Sequence, residues 1–524
     1  MKDFAALLDR LLYTPSRNGK LRLLADYFQR VPDPDRGWAL AALTSNLDFP
    51  NAKAGVVRDL ARAQTDEVLF ALSYDYVGDL AETTSLLWQG RTDASPVRLS
   101  AVVETLQSVG KKEVRGLVSG WLDGLDATGR WALLKLITGG MRIGVSARLA
   151  RVALAQSFDV DVGEIEEIWH GVKPPYTDLF AWLADGAKKP DVSNRPTFRP
   201  FMLAHPLDDH DVFDLDDWFV EWKWDGIRAQ LVSRSGERRL YSRTGDDISG
   251  AFPDVLKAIS FDGVLDGELL VRNLENPDSA DPASFNVLQQ RLNRRNVSTK
   301  MLAEHPAYVI AYDILFDGSE DLRTLPLAGR RQRLEAFVRR HAHPDISLSA
   351  LLPVDRWEGV AKLQAEARRL GREGLMLKRR DSIYEPGRKI GQWYKWKRDP
   401  LLADAVLMYA QRGHGKRSSF YSDYTFGVWR DGELVPVGKA YSGFTDEELT
   451  LLDKWVRNNT LNRFGPVREV EKRLVFEIAF DSIHASNRHK SGLAMRFPRI
   501  SRIRWDKAAE EADEIGTLKV MVDN

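Results

Sequence analysis

The chain has 524 residues, 44% hydrophobic and 29% charged, which is the make-up of a folded protein too long for a single core. Lys plus Arg and Asp plus Glu both total 75, so affinity for a polyanion must come from local patches rather than the net field. Cysteine is absent, which excludes disulfides, Cys-ligated zinc, iron–sulfur clusters and thiol catalysis together.

No apolar run reaches the roughly 18–20 residues of a membrane span, and Met1-Lys2-Asp3-Phe4 lacks the build of a secretory leader. A cytoplasmic protein with no membrane partner is expected, bacterial or archaeal from the missing targeting segment.

Residues 1–190 read as all-α. Phe4, Leu7, Leu8, Leu11 and Leu12 fall at helical spacing and predict one buried stripe; Leu21, Leu24, Tyr27 and Phe28 predict another. Pro32-Asp33-Pro34-Asp35 predicts a turn. In 130–146, Gly139 and Gly140 suit a helix C-terminus, and Ser146 suits the N-cap of the next helix. Amides at that N-terminus, beside Arg142 and Arg148, could hold a backbone phosphate; an ordinary helix–turn–helix corner is the alternative.

The polar stretch 188–196, with two prolines and no periodicity, is the best linker candidate. Beyond it, short β-like runs (227–233, 239–242, 263–271, 307–316, 374–378) alternate with helical stretches such as 329–341, an α+β pattern with mostly antiparallel pairing. After Asp399-Pro400 the runs 405–410, 424–429, 433–437 and 474–480 suit a small barrel with a helical insertion at 446–459. The acidic tail 510–514 reads as a solvated helix face. The expected domains are 1–190, a linker at 191–199, 200–399 and 400–524.

One stretch stands out, Glu221-Trp222-Lys223-Trp224-Asp225-Gly226-Ile227-Arg228, where a lysine interrupts an apolar strand pattern just before Asp-Gly. A β-hairpin with its lysine snorkelling to water is one reading, and the hairpin itself is expected either way. The other is a nucleophilic lysine in a cleft. No Gly-x-x-x-x-Gly-Lys-[Ser/Thr] loop or Gly-x-Gly-x-x-Gly fingerprint is present, and Gly413-His414-Gly415-Lys416-Arg417 has the wrong spacing. Asp266-Gly267-Glu268 is either a bulge with solvated acids or a functional pair. Glu373 and Lys378 bracket a buried strand. Alternation in Trp393-Tyr394-Lys395-Trp396-Lys397 puts both lysines on one face, where they repel unless an anion or carboxylate intervenes; a lysine-guarded edge strand is the alternative. Residues 371–420 carry twelve Lys/Arg against five Asp/Glu, and 484–507 seven against Asp506 alone, two basic patches suited to phosphates.

In this order the motifs resemble those of the ATP-dependent DNA ligases of the covalent nucleotidyltransferase superfamily. The set is Lys223–Arg228, Tyr241-Ser242-Arg243-Thr244-Gly245, Leu265–Glu268, Tyr312–Phe316, Glu373–Lys378, Trp393–Lys397, and Arg496-Phe497-Pro498-Arg499 with Arg504-Trp505-Asp506-Lys507. The resemblance covers nearly the whole chain. It implies a multidomain fold: an all-α N-terminal DNA-binding domain, an α+β nucleotidyltransferase (adenylation) domain and a C-terminal β-barrel OB-fold.

It also implies roles. Lys223 would attack ATP to form lysyl-AMP, which requires a neutral amine although free lysine titrates at about 10.4. A divalent cation (Mg²⁺ or Mn²⁺) on Glu268 and Glu373, with the charges of Lys395 and Lys397, would favour deprotonation. Tyr312 would stack on adenine, Glu221 read its amino group, Arg228 contact the ribose, and Lys395 and Lys397 clamp the α-phosphate. Lys378, Arg388 and Lys389 belong to the nucleotide site; the Arg388-Lys389 order differs from the family's usual Lys-Arg. Arg243 would bind the nick 5′-phosphate, Phe285 and Phe497 would pack on sugars there or be plain core aromatics, and Arg504, Asp506 and Lys507 would orient pyrophosphate, with a hinge at 398–402. The substrate would be nicked duplex DNA, bound by a monomer. An RNA ligase, a GTP-dependent capping enzyme, and a non-catalytic DNA-binding scaffold are the other readings; an NAD-dependent ligase is disfavoured because that class carries a Cys₄ zinc module. The acidic loop 273–282 has no account at this level.

Overall fold

The computed structural model describes the chain apart from residues 91–96, 208–213, 258, 275–280, 293, 295, 414–419, 488 and 523–524. The stretch from His414 to Arg417, the middle of the 273–282 loop and Arg488 therefore lie outside the described residues. The chain divides into two compact units: Met1–Val162 with Lys173–Lys189 and Pro400–Asn524, and Gly163–Val172 with Pro190–Asp399.

In the first unit, helices run from Lys2–Tyr13 to Thr177–Asp185. Phe4, Leu7, Leu8 and Leu11 are buried in the first helix, each worth about 1.5–3 kcal/mol of transfer free energy. Leu12 is 45% exposed, because it falls outside the arc that the neighbouring helices cover. The predicted second stripe, Leu21, Leu24, Tyr27 and Phe28, is buried as a set. Helix Ala127–Thr138 ends on left-handed Gly139, whose N–H donates to Lys135 O, and the Ser146 side chain accepts from Leu149 N to start Ala147–Ser157.

The unit's other part is β-rich. Its strands pair around one long strand, Leu401–Arg412, which bonds Tyr421–Arg430 along one edge. On its other edge it bonds Val475–Phe480 through its first half and Val467–Val470 through its second. Strand Arg499–Arg504 pairs with Val475–Phe480, and Ile500 N donates to Ser442 O just beyond strand Glu433–Ala440. At the neighbouring Gly443 a Cβ would sit 1.9 Å from Ile500 O, so only glycine allows that approach. The enclosed core includes Leu407, Phe426, Phe476, Ile478 and Leu452, the last from helix Asp446–Asn458, which starts with a Thr445/Glu448 capping box. The acidic tail forms a 3₁₀ turn, Ala509–Glu511, rather than a helix face, and Asp513 is tied to the barrel by accepting from Asp404 N at 2.8 Å.

The second unit contains β1 (Met202–Leu203), β2 (His205–Pro206), β3 (Trp218–Lys223), β4 (Ile227–Arg234), β5 (Glu237–Ser242), β6 (Gly263–Val271), β7 (Ala307–Asp317), β8 (Glu320–Asp321), β9 (Ile346–Leu348), β10 (Gly374–Arg379), β11 (Gly387–Arg388) and β12 (Trp393–Lys397). They form two main sheets, β2-β12-β10-β3 and β5-β4-β6-β7-β8, with β9 beside β7.

The expected hairpin at 221–228 is overturned. β3 pairs with β10 in the first sheet, whereas β4 pairs with β5 and β6 in the second, so Trp224-Asp225-Gly226 crosses between sheets. The glycine serves close packing: a Cβ on Gly226 would lie 2.6 Å from Leu269 O. Apolar alternation chose the partners. Trp218, Val220 and Trp222 pack with Leu375, Leu377 and Trp396, while Ala229 and Leu231 pack with Leu265 and Leu269.

Beneath β7, Arg330 of helix Leu327–His341 meets Asp313 in a bidentate pair at 2.8 and 2.9 Å, both side chains fully buried. Replacing Asp313 with Ala would leave a buried guanidinium unpaired. Urea unfolding of Asp313→Ala is expected to show a loss of about 3–5 kcal/mol; a loss within the ~0.5 kcal/mol typical of surface substitutions would refute this role.

Candidate active site

Register builds the site. Across β3, β10 and β12, Lys223, Gly374 and Lys397 form one row, and Glu221, Met376 and Lys395 the next. Strand alternation points both rows to the same face, because the opposite face carries the Trp218–Trp396 core just described. Gly374 takes φ +144°, and a Cβ there would fall 2.1 Å from Trp396 O, so no side chain obstructs the row between the lysines.

Glu373 fills the space between them. Its N–H donates to Lys223 O at 2.8 Å, and its carboxylate accepts from Lys223 Nζ and lies 2.5 Å from Lys397 Nζ. Burial works against its charge, but Lys223, by charge and hydrogen bond, and then Lys397 hold its pKa down at about 2. The carboxylate lies between Lys223 and Lys397, not between Lys395 and Lys397, the pair whose repulsion the sequence anticipated. Lys395 has its pKa lowered by burial, then by the charges of Arg388, Lys397, Lys223 and Arg243. Such a cluster is a place for an anion.

The second sheet supplies the other wall. Arg228 and Glu268 are register partners on β4 and β6. Arg228 donates to Asp266 from Nε at 3.1 Å and Nη2 at 2.7 Å, and the Tyr384 hydroxyl donates to the same carboxylate at 2.6 Å. Solvated acids at a bulge were one of the two readings that the sequence left open. The β6–β7 register does shift between Asp266 and Gly267, but Asp266 is fully buried by its pairing with Arg228. Tyr312, at that irregularity, has the Lys378 ammonium 4.2 Å and the Arg228 guanidinium 5.8 Å from its ring centre. Lys378 in turn pairs with Glu221 at 3.0 Å, both buried.

Glu268 stands beside this wall with its pKa pushed up to about 8: burial dominates, Lys223 and Arg228 pull it down, and Glu373 and Asp266 push it up. Among the described residues no group of three or more His, Cys, Asp or Glu side chains converges on a metal position. The pair Glu268 and Glu373 nevertheless fits a magnesium-type ion, which commonly uses one or two carboxylates and completes its shell with water and substrate oxygens.

The remaining predicted residues are spread over the chain. Arg243 is exposed on the turn after β5. Arg388 is exposed in β11, and Lys389 pairs with Glu385 at 3.5 Å. Arg504 bonds Asp506 from Nε and Nη2, both at 3.1 Å, and reaches Asp404 at 3.4 Å, where Lys507 also pairs at 2.6 Å. Phe285 packs against the second sheet's core, as a plain core aromatic would, whereas Phe497 is 65% exposed with φ +51°. Arg142 and Arg148 are exposed at the Ser146 corner.

Several contributors escaped the sequence reading. Tyr384 and Asp404 carry no local pattern, since Asp266, Arg504 and Lys507, which they meet, lie a hundred or more positions away. Arg372, just before Glu373, lies 4.1 Å over the Trp224 ring and pairs with Asp281 at 2.6 Å. That contact gives the end of the unexplained acidic loop a role as the anchor of an arginine packed on the residue after Lys223.

Comparison with known proteins covers most of the chain. Residues 1–155 match the family model described as DNA ligase N terminus, 201–397 the ATP dependent DNA ligase domain, and 417–507 the ATP dependent DNA ligase C terminal region. A probable DNA ligase of Koribacter versatilis is 32% identical over 98% of this chain and 95% of its own length. DNA ligase 1 of Korarchaeum cryptofilum is 31% identical over 99% and 97%. The solved structure named Pmar-Lig_PreS3 shares the fold with a TM-score of 0.58 at 16% identity, covering 96% of this chain and 99% of that one.

Because Glu268 titrates near 8 when folded against an ordinary 4.5, the folded state holds a proton the unfolded chain has lost in between. Stability of the protein without nucleotide or divalent cation should therefore fall as pH rises through that window, and Glu268→Gln should abolish the decline. Glu373, held at about 2, titrates outside it. Urea midpoints taken from about pH 5 to about pH 8 test this; parallel wild-type and variant curves would refute it.

Proposed function

The chain belongs to the ATP-dependent DNA ligases, and from that premise we propose how its residues divide the work of sealing a nick. The family reaction has three transfers. A lysine amine attacks the α-phosphorus of ATP and releases pyrophosphate, leaving lysyl-AMP. The AMP passes to the 5′-phosphate of nicked DNA, breaking the phosphoramidate bond. The 3′-hydroxyl then attacks that activated phosphate, forming the phosphodiester and expelling AMP.

One observation carries the assignment of Lys223 as nucleophile: its ammonium and that of Lys397 share the Glu373 carboxylate on the face that also carries Lys395. In this resting pair Glu373 stabilises the charged amine, so the nucleophile is held in place but not yet reactive. Mg²⁺ or Mn²⁺ bound at Glu268 and Glu373 would supply positive charge to the phosphate oxygens and compete with Lys223 for Glu373. An arriving α-phosphate would draw Lys395 and Lys397 to its oxygens, and binding and orientation would do most of the catalytic work.

Tyr312 would take the adenine on its face, with Glu221 fixed by Lys378 to accept from the amino group. Arg228, clamped by Asp266 and Tyr384, would present its guanidinium edge to the ribose. Lys378, Arg388 and Lys389 would add positive charge around the nucleotide. Arg243 would take the nick 5′-phosphate, and Arg142, Arg148 and Phe497 would contact DNA outside the reacting atoms. Arg504 and Lys507, tied together by Asp404, and Asp506, paired with Arg504, would orient pyrophosphate in the first transfer, which requires a hinge near 398–402. We place the protein in the cytoplasm as a monomer acting on nicked duplex DNA.

Incubation with α-labelled ATP and magnesium, followed by a denaturing gel, should give a labelled adduct that disappears in Lys223→Ala. Label from GTP in place of ATP would favour a capping-type reaction, and an undiminished adduct in the variant would remove Lys223 from this role. For the barrel residues, Arg504→Ala should slow adduct formation roughly 100-fold while sealing of pre-adenylylated DNA stays near wild type. Equal losses in both assays would count against a role confined to the first transfer.

A further inference from the structure

The turn that presents Arg243 is braced by a residue far away in sequence. The turn closes on itself, with Gly245 N donating to Ser242 O and Ser242 N to Asp246 O, both at 2.9 Å. The Ser242 hydroxyl lies 3.0 Å from the Thr244 hydroxyl and 3.3 Å from an Asp246 carboxylate oxygen. These bonds are exposed and compete with water, so by themselves they hold a turn weakly.

His170 supplies a part-buried contact. Its Nε2 lies 2.8 Å from Gly245 O; a carbonyl only accepts, so Nε2 carries the hydrogen. Gly245 has φ +86°, and a Cβ there would be 3.2 Å from His170 Cε1 and Nε2, so the turn is seated directly on the imidazole. The ring also meets Tyr241, the last but one residue of β5, at 4.9 Å in an edge-on contact, and Phe198 at 5.3 Å.

The segment bearing His170 is itself tethered. Gly163–Val172 belongs to the same compact unit as the turn. Its Glu167 pairs with Arg199 at 3.1 Å and Arg323 at 2.5 Å, and Arg199 Nη1 donates to Glu167 O at 2.9 Å. An imidazole on a tethered segment, bonded to the carbonyl two residues past an exposed arginine, is a fixed point from which that arginine is aimed.

We propose that His170 is a positioning residue for the transfer of AMP to DNA. Its Nε2–H holds the Gly245 carbonyl and keeps the turn in the conformation that presents Arg243 to the nick 5′-phosphate. The proposal rests on the assignment of Arg243 given above. It predicts a defect centred on one step: the first transfer involves no DNA and should not depend on His170.

Single-turnover assays separate the steps. In His170→Ala, lysyl-AMP formation from ATP should match wild type, while AMP transfer from purified lysyl-AMP enzyme to nicked DNA should fall about 10- to 100-fold, the cost of misplacing a binding group by about 1 Å. His170→Gln, whose amide N–H reaches the same carbonyl, should recover most of the rate. Arg243→Ala should also slow transfer, and the double variant should be no slower than Arg243→Ala alone. Wild-type transfer in His170→Ala beside an impaired Arg243→Ala, additive losses in the double variant, or equal losses in both steps would overturn the role of His170. Wild-type transfer in Arg243→Ala would instead sink the assignment of Arg243, and the His170 proposal with it.

Discussion

Glu373 lies between two ammonium groups, and the geometry of the site follows from that contact. The carboxylate engages Lys223 at the end of β3 and Lys397 at the end of β12, and its own backbone bonds Lys223 O. Without it, β3 and β12 would bring Lys223 and Lys397 into one row with no carboxylate between them. With it, Lys223 is held in an ion pair on that face. On the assignment proposed above, holding the amine in an ion pair until substrate phosphate competes for the same cations would tie reactivity to occupancy.

Around that contact stand buried pairs: Lys378 with Glu221, Arg228 with Asp266, and Arg330 with Asp313. Desolvating such pairs costs about what their attraction returns, so they add little net stability. They act instead as alignment pins. Each joins strands or a helix that are distant in sequence, and each orients a side chain beside Tyr312 or on β7, which bears it. A hydrophobic replacement of equal volume could fold but would leave these walls without defined polar edges.

Much of this was legible in the chain. Helical stripes in the first 190 residues, the strand runs of the middle region and the barrel strands after Pro400 were read with errors of a few residues, because period and turn residues are local properties. The alternation in 393–397 already placed Lys395 and Lys397 on one face. The failures have one cause. The hairpin expected at Asp225-Gly226 was a local signal overruled by two separate cores: β3 is drawn to Leu375 and Leu377, and β4 to Leu265 and Leu269. Asp266 stayed open between a solvated bulge residue and a functional one because its partners, Arg228 and Tyr384, lie 38 and 118 positions away.

Residue types and their order determined, before any coordinates, which chemistry the chain carries: a lysine followed by Asp-Gly, paired acids and a lysine-rich strand in one fixed order, with no cysteine to support a competing mechanism. Those are properties of the side chains themselves. Tertiary structure decided which of these groups touch: that Glu373 sits between the lysines, that Asp266 clamps Arg228, that Arg372 packs on Trp224, and that His170 reaches the turn of Arg243. Such contacts depend on which apolar faces bury against each other, and that choice is made by the whole core at once. Lys223 and Glu373 could both be picked out by reading; that the carboxylate holds the lysine could be found only by folding.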